Sequence, residues 1–509
     1  MNRKYFATLL FVVAGFTISA KAQLSVVATE GGKLKGYKDG AVAIFKGVPF
    51  AAPPVGQLRW KAPQPVVPWS GVKECTAFSA SPVQPTPVPF AMWTEEFIAP
   101  PEPLSEDCLY LNVWTKAKTG KEKMPVFLWI YGGGFSSGSA GCAIYDGTEY
   151  AKQGVVFVSI NYRVGVFGFL AHPELTKESG VNASGNYGLM DQLAALRWVK
   201  KNIAAFGGDP NNVTIAGQSA GSMSVNSLVA SPLGKGLFQK AIAQSGGLLG
   251  SRFIAPLQDA EKSGQQFQAI AKASDINSLR ALSADSVQKL SQKQGAPRFS
   301  PVLDGYVLPA DLMAAFRSGN FNQVPMLSGW VTGDGALFGN AKVTPDKFIA
   351  DIKRQYKDKA ETLLGLLPHS TAEEATASSG KLALLGFAGW PSHLLAVYDS
   401  KPVYVYEYGH EPPGKEGFPN YGAFHTSEVP FALHTIHTWK RTWRPVDYQM
   451  EKIVSSYWIN FIRTGNPNGN GLPKWSVYNK NSGSIQSLTD PVKATTGEWK
   501  AIFEFMDSN

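Results

Sequence analysis

Six short apolar runs constrain the fold of this chain more than any other feature. Val126–Tyr131, Val155–Asn161, Val213–Ala216, Ala241–Gln244, Val324–Val331 and Val403–Tyr408 each hold four to eight residues. They are continuous rather than alternating, which is the pattern of strands buried on both faces. Between them lie stretches with helical spacing, such as Leu193, Leu196, Val199 and Ile203 within Leu189–Phe206. Ala220–Val229 and Met450–Arg463 read as further helices. Strands of this kind separated by helices predict an α/β fold with a large, twisted, mostly parallel central sheet flanked by helices.

Around this core, Ser25–Tyr37, Val42–Val48 and Leu109–Trp114 read as additional strands. The Pro-rich stretch 51–104 reads as surface loop, one wall of a cleft. Residues 255–320 and 345–400 read as helical insertions. Length alone would suggest about three domains. No Gly/Ser or Pro linker divides the chain, so 23–509 reads as one elaborated domain.

The N-terminus reads as an export signal. Arg3 and Lys4 precede the mostly apolar Tyr5–Ser19, and Ala20-Lys21-Ala22 offers small residues for cleavage before Gln23. Residues 1–22 are thus expected to be removed and the mature protein to be secreted or periplasmic. No other run is long enough to cross a bilayer. Removal of Arg3, Lys4 and Lys21 leaves 45 basic and 39 acidic residues, taking the net charge from +9 to +6. The basic residues are dispersed, so nothing points to nucleic acid. Cys75, Cys108 and Cys142 lack His or Cys neighbours at ligand spacing, which speaks against a zinc site.

Gly217-Gln218-Ser219-Ala220-Gly221 fits Gly-x-Ser-x-Gly, and so does Gly134-Phe135-Ser136-Ser137-Gly138. Glycine makes up 51 of 509 residues, so the pattern arises about once per hundred serines by chance. Context separates the two. A nucleophile elbow needs a strand before it and a helix after it. Ser219 follows Val213-Thr214-Ile215-Ala216 and opens a helix-compatible run, whereas Ser136 leads into Ser, Gly and Ala and reads as a turn serine. Such an elbow aims a helix N-terminus at the hydroxyl, where partial positive charge favours an oxyanion.

Tyr131-Gly132-Gly133-Gly134 ends a predicted strand. Bare backbone there lets amides approach a substrate carbonyl. With the N–H of Ala220, the N–H groups of Gly133 and Gly134 make a candidate oxyanion hole.

A long set of motifs then gives a family resemblance. Phe45-Lys46-Gly47-Val48-Pro49-Phe50-Ala51 is followed by Gly56-Gln57-Leu58-Arg59-Trp60 and by Ser105-Glu106-Asp107-Cys108-Leu109-Tyr110-Leu111-Asn112. YGGGF stands at 131–135, Asn161-Tyr162-Arg163 and Gly185-Asn186 follow, and FGGDP stands at 206–210. GQSAG at 217–221, Gln244-Ser245-Gly246, Gly422-Ala423-Phe424-His425 and TGNPN at 464–468 complete the order. The chain resembles the type B carboxylesterase/cholinesterase family of the α/β-hydrolase superfamily over nearly its whole mature length.

The resemblance implies an α/β-hydrolase fold and a Ser-acid-His triad. His425 occupies the family's Gly-Ala-x-His position and lies late in the chain, as that order requires. The family places its acid in a turn after a strand. Here that turn is Thr332-Gly333-Asp334-Gly335, and Asp334 stands where Glu is usual, one methylene shorter. Asp304, in PVLDG, is the rival. Gln218 replaces the Glu that cholinesterases carry before the nucleophile, which weakens any case for a cationic choline ester. The family's N-terminal disulfide joins the SEDC cysteine to a position that Pro82 occupies here. Cys75–Cys108 is still the best pairing on this resemblance, and Cys142 would then be a free, buried thiol.

The implied activity is hydrolysis of small-molecule carboxylic esters, of short to medium acyl chain or aromatic, through an acyl-enzyme and with no cofactor or metal. Two alternatives remain at the level of sequence: a catalytically inactive adhesion or scaffold protein, and a lipase or peptidase.

Overall fold

The structure, a computed structural model, describes residues 24–250, 254–338, 342–497 and 499–508. The expected export signal at 1–22 and the cleavage point before Gln23 lie outside the described residues. The central feature is an 11-stranded sheet. In chain order its strands are β1 (Tyr37–Asp39), β2 (Val42–Pro49), β3 (Tyr110–Thr115), β4 (Met124–Ile130), β5 (Val156–Ile160) and β6 (Gly208–Gln218). They continue with β7 (Lys240–Gln244), β8 (Met326–Val331), β9 (Val403–Tyr408), β10 (Ile485–Leu488) and β11 (Lys493–Thr495). Their order across the sheet is β11-β10-β9-β8-β7-β6-β4-β5-β3-β2-β1.

The pairs from β5 through β4, β6, β7, β8 and β9 to β10 are all parallel, and both flanks are antiparallel. Val, Ile, Phe, Tyr and Trp fill these strands and suit a pleated, close-packed surface. In the centre Ile215 pairs with Leu128 on one side and Ala241 on the other. Strands β5, β7 and β8 are buried along their whole length, because helices cover both faces.

The helices include α1 (Tyr187–Asn202), α2 (Ala220–Ala230), α3 (Leu257–Ala271), α4 (Pro345–Tyr356), α5 (Ala372–Leu384), α6 (Trp390–Tyr398), the short α7 (Val429–Leu433), α8 (Pro445–Thr464) and α9 (Lys500–Asp507). The segment 255–320 holds α3 and three shorter helices, and 345–400 holds α4, α5 and α6. β6 is longer than its apolar run, because Gly208 pairs with Met124 before a register shift at Val213. Among the described residues no helix is long and apolar enough to cross a membrane.

The expected Cys75–Cys108 bridge is not formed; all three cysteines are free and buried. Strand pairing explains why. Pro82 stands opposite Ser105, so it is Pro82 that neighbours the SEDC segment. The Cys75 backbone is held elsewhere, donating to Lys35 O and accepting from Lys46 N–H. Burial pushes the Cys75 thiol up to about 11 and Cys142 up to about 12. Cys108, beside the buried Arg163–Asp191 pair, is also raised by burial.

Candidate active site

Parallel strands converge their C-terminal ends on one edge of the sheet, where α/β folds bind ligands. β4 ends at Ile130 and runs into the Tyr131–Gly134 tract; β6 ends at Gln218, one residue before Ser219. β8 ends three residues before Asp334, and the loop after β9 carries His425.

Ser219 sits at the corner between β6 and α2 with φ 60° and ψ −124°. This is an uncommon conformation for a residue with a side chain. It turns the chain sharply and leaves Ser219 half-buried, while nearly all of its neighbours are fully buried. The corner is fixed from below, where Ser219 N–H donates to Gln244 O at 2.9 Å. Ala220 is the first helical residue, so its N–H has no acceptor within the helix.

The glycine tract lies directly against this corner. A Cβ on Gly132 would stand 2.7 Å from Gln218 O and 3.0 Å from Ser219 Cβ, so only glycine fits. Gly133 and Gly134 are exposed, and among the described residues their N–H groups donate to no partner. Gly133 O accepts the N–H groups of Ser136 and Ser137, which closes the tract into a turn. Ser136, the decoy in sequence, belongs to that exposed turn.

His425 and Asp334 meet. His425 Nδ1 lies 2.6 Å from Asp334 Oδ1, with His425 3% exposed and Asp334 fully buried. The second carboxylate oxygen accepts Val331 N–H at 3.0 Å. With Nδ1–H donated to the carboxylate, the Nε2 lone pair is left to act as a base. The shorter acid reaches the ring because Gly333 N–H donates to Ala423 O at 3.1 Å, two residues before His425. The rival Asp304 is occupied otherwise: its Oδ1 accepts the N–H groups of Tyr306, Val307 and Leu308. His434 is also elsewhere, 3.6 Å from Glu451.

Gln218 has a role that the motif did not reveal. Its Nε2 is 3.1 Å from His425 Nε2 and 3.4 Å from Nδ1. An atom so nearly equidistant from both ring nitrogens stands over the ring face. In the ring plane it would collide with the carbon between them. No hydrogen bond joins the Ser219 hydroxyl to His425 among the described residues. The imidazole is otherwise walled by aromatic rings, Phe387 at 5.7 Å and Trp93 at 6.4 Å between centroids. Trp93 is anchored by its indole N–H to Thr426 Oγ1 at 3.0 Å. Among the described residues no group of three or more His, Cys, Asp or Glu side chains could hold a metal ion.

The comparisons with known proteins agree with this architecture. The model of the carboxylesterase family matches residues 23–502. The chain is 35% identical to the para-nitrobenzyl esterase of Bacillus subtilis (strain 168), over 89% of this chain and 93% of that protein. It is 34% identical to the fumonisin B1 esterase of Sphingopyxis macrogoltabida, over 92% of this chain and 87% of that protein. The solved carboxylesterase EST55 of Geobacillus stearothermophilus superposes with a TM-score of 0.81 at 32% identity, covering 94% of this chain and 98% of that one. The chain therefore belongs to the carboxylesterase family, with the α/β-hydrolase fold and the ester-hydrolase class that go with it.

Proposed function

We propose that this protein is a secreted serine carboxylesterase in which Ser219 is the nucleophile, His425 the general base and Asp334 its orienting acid. The observation that carries this reading is the 2.6 Å pair between His425 and Asp334, on the same sheet edge as the strained corner of Ser219. Ester binding would draw the hydroxyl and the imidazole into line, since such contacts are often loose in an empty site.

In the proposed cycle, His425 Nε2 takes the Ser219 proton as Oγ attacks the ester carbonyl. The carboxylate of Asp334 holds the ring in the required tautomer and stabilises the imidazolium. The N–H groups of Gly133, Gly134 and Ala220 receive the oxyanion, each such donor contributing roughly a hundredfold to a thousandfold in rate. The imidazolium returns its proton to the departing alcohol. Water then repeats the sequence on the acyl-enzyme. The rings of Trp93 and Phe387, 6.4 and 5.7 Å from the imidazole between centroids, support a preference for aromatic or short to medium acyl esters.

The test is covalent labelling with an aryl phosphonate fluoride, read by intact mass and peptide mapping. One adduct on Ser219, lost in Ser219→Ala together with ester hydrolysis, is the expected result. Folded protein that takes up no label and hydrolyses no aryl ester would return the inactive-scaffold reading to favour. Export is tested by the mature N-terminus, expected at Gln23.

A further inference from the structure

Behind the proposed acid lies a second carboxyl that the cycle does not use. Glu428 is 1% exposed and begins the turn into α7, three residues after His425. Its Oε1 is 3.5 Å from Ser245 Oγ, a long contact, and its Oε2 is buried with no hydrogen-bond partner among the described residues. The groups that face it come from three strand ends. Gln244 ends β7 and Ser245 follows it, Asp334 follows β8, and Tyr406 lies on β9. Tyr408, with Asp447 of α8 behind it, is the next titratable neighbour. None of these groups is a cation.

Two carboxyls that share a buried space without a cation do not both ionise. Hydrogen bonding decides which one keeps the proton. Asp334 receives two good donors, the Nδ1–H of His425 at 2.6 Å and the N–H of Val331 at 3.0 Å. Glu428 has the distant Ser245 hydroxyl, with the Tyr406 hydroxyl and the Gln244 amide facing it but in no well-formed hydrogen bond. The amide of Gln244 is turned by Trp458, whose indole N–H donates to Gln244 Oε1 at 3.1 Å. Gln244 Nε2 and the Tyr406 hydroxyl remain buried without a well-formed partner, next to Glu428.

We infer that Glu428 works as a neutral carboxylic acid, a positioning residue that leaves Asp334 as the only negative charge behind His425, and that its ionisation ends the alkaline range of activity. The inference rests on the proposed roles of His425 and Asp334. Burial, with the neighbouring Asp334 charge adding to it, pushes the Glu428 carboxyl up to about 8. Below that pH the folded protein holds a proton that the unfolded chain releases near the ordinary glutamate range. Stability therefore falls as pH rises from about 4.5 to about 8, and levels off above.

The experiment compares Glu428→Gln with the wild-type enzyme in kcat/KM for an aryl ester and in melting temperature, each from pH 5 to 9.5. Glutamine is the neutral isostere, so the variant is expected to keep activity within about threefold at pH 7. It should also lose the alkaline fall, which in the wild type approaches about tenfold per pH unit, and melt higher than wild type at pH 7.5. A folded variant that loses a hundredfold or more at pH 7, or whose activity and melting profiles coincide with those of wild type, overturns the inference. If the variant does not fold, infrared titration of the wild type decides. A protonated-carboxyl carbonyl band that persists at pH 7.5 and disappears by pH 9.5 supports the proposal, and its absence at pH 7.5 refutes it. A wild type without esterase activity refutes the proposed function instead, and the melting profile still reports on Glu428.

Discussion

Gly333 donates its N–H to the carbonyl of Ala423 at 3.1 Å, and this backbone clasp sets the gap between the Asp334 turn and the His425 loop. A Cβ on Gly333 would stand 2.2 Å from that carbonyl, so no other residue allows the approach. The clasp is what brings the short side chain of an aspartate within reach of the imidazole.

The gap should therefore reject the longer acid. Asp334→Glu retains the charge but overfills the space, and kcat is expected to fall on the order of a hundredfold, the usual cost of an ångström of misplacement. Asp334→Asn keeps the shape, loses the charge and favours the wrong tautomer, so the drop should reach about ten-thousandfold. Steady-state kinetics on an aryl ester measure both. Full activity in Asp334→Asn would remove Asp334 from the mechanism.

Gln218 predicts a change in selectivity. Its amide stands over the face of His425, and Ser219 is the next residue in the chain. In Gln218→Glu a carboxylate takes that place and would attract a cationic alcohol group. A choline-type ester should gain roughly tenfold in kcat/KM over its neutral isostere. An unchanged ratio would show that the alcohol never comes near this side chain.

The corner at Ser219 carries backbone strain, with φ at 60°. Glycine relieves it. Ser219→Gly should be inactive and yet more stable than wild type by about 1 kcal/mol, read from denaturant unfolding. Equal or lower stability would mean that the corner is not strained.

The thiols give a direct count. Cys75, Cys108 and Cys142 are free and buried, with raised thiol pKa values. A thiol reagent should react slowly with the folded protein and label three groups after denaturation without reductant. Recovery of one thiol instead of three would restore the bridge.

Much of the fold was legible because burial on both faces leaves continuous apolar runs. β9 coincides with its run at Val403–Tyr408, and α2 extends Ala220–Val229 by a single residue. The elbow was legible because strand, small residues and helix follow one another in sequence. Features that depend on contacts between distant segments were not. The pairing of Pro82 with Ser105, which leaves Cys75 without a partner, follows from strand register. The amide of Gln218 over His425 joins residues 207 positions apart. The burial of Glu428 depends on strands that lie far from it in sequence. A glutamate at the head of an apolar stretch, Glu428-Val429-Pro430-Phe431-Ala432-Leu433, was the available signal.

The convergence of strand ends on one edge has a consequence for synthesis. With the roles proposed above, the ribosome delivers the amides of Gly133 and Gly134 first, then the nucleophile Ser219 with the amide of Ala220, then the acid, and the base at position 425 last. A nascent chain stopped before that point carries a complete serine corner and no imidazole to activate it. On that reading, ester cleavage is withheld from every precursor that stops short of position 425.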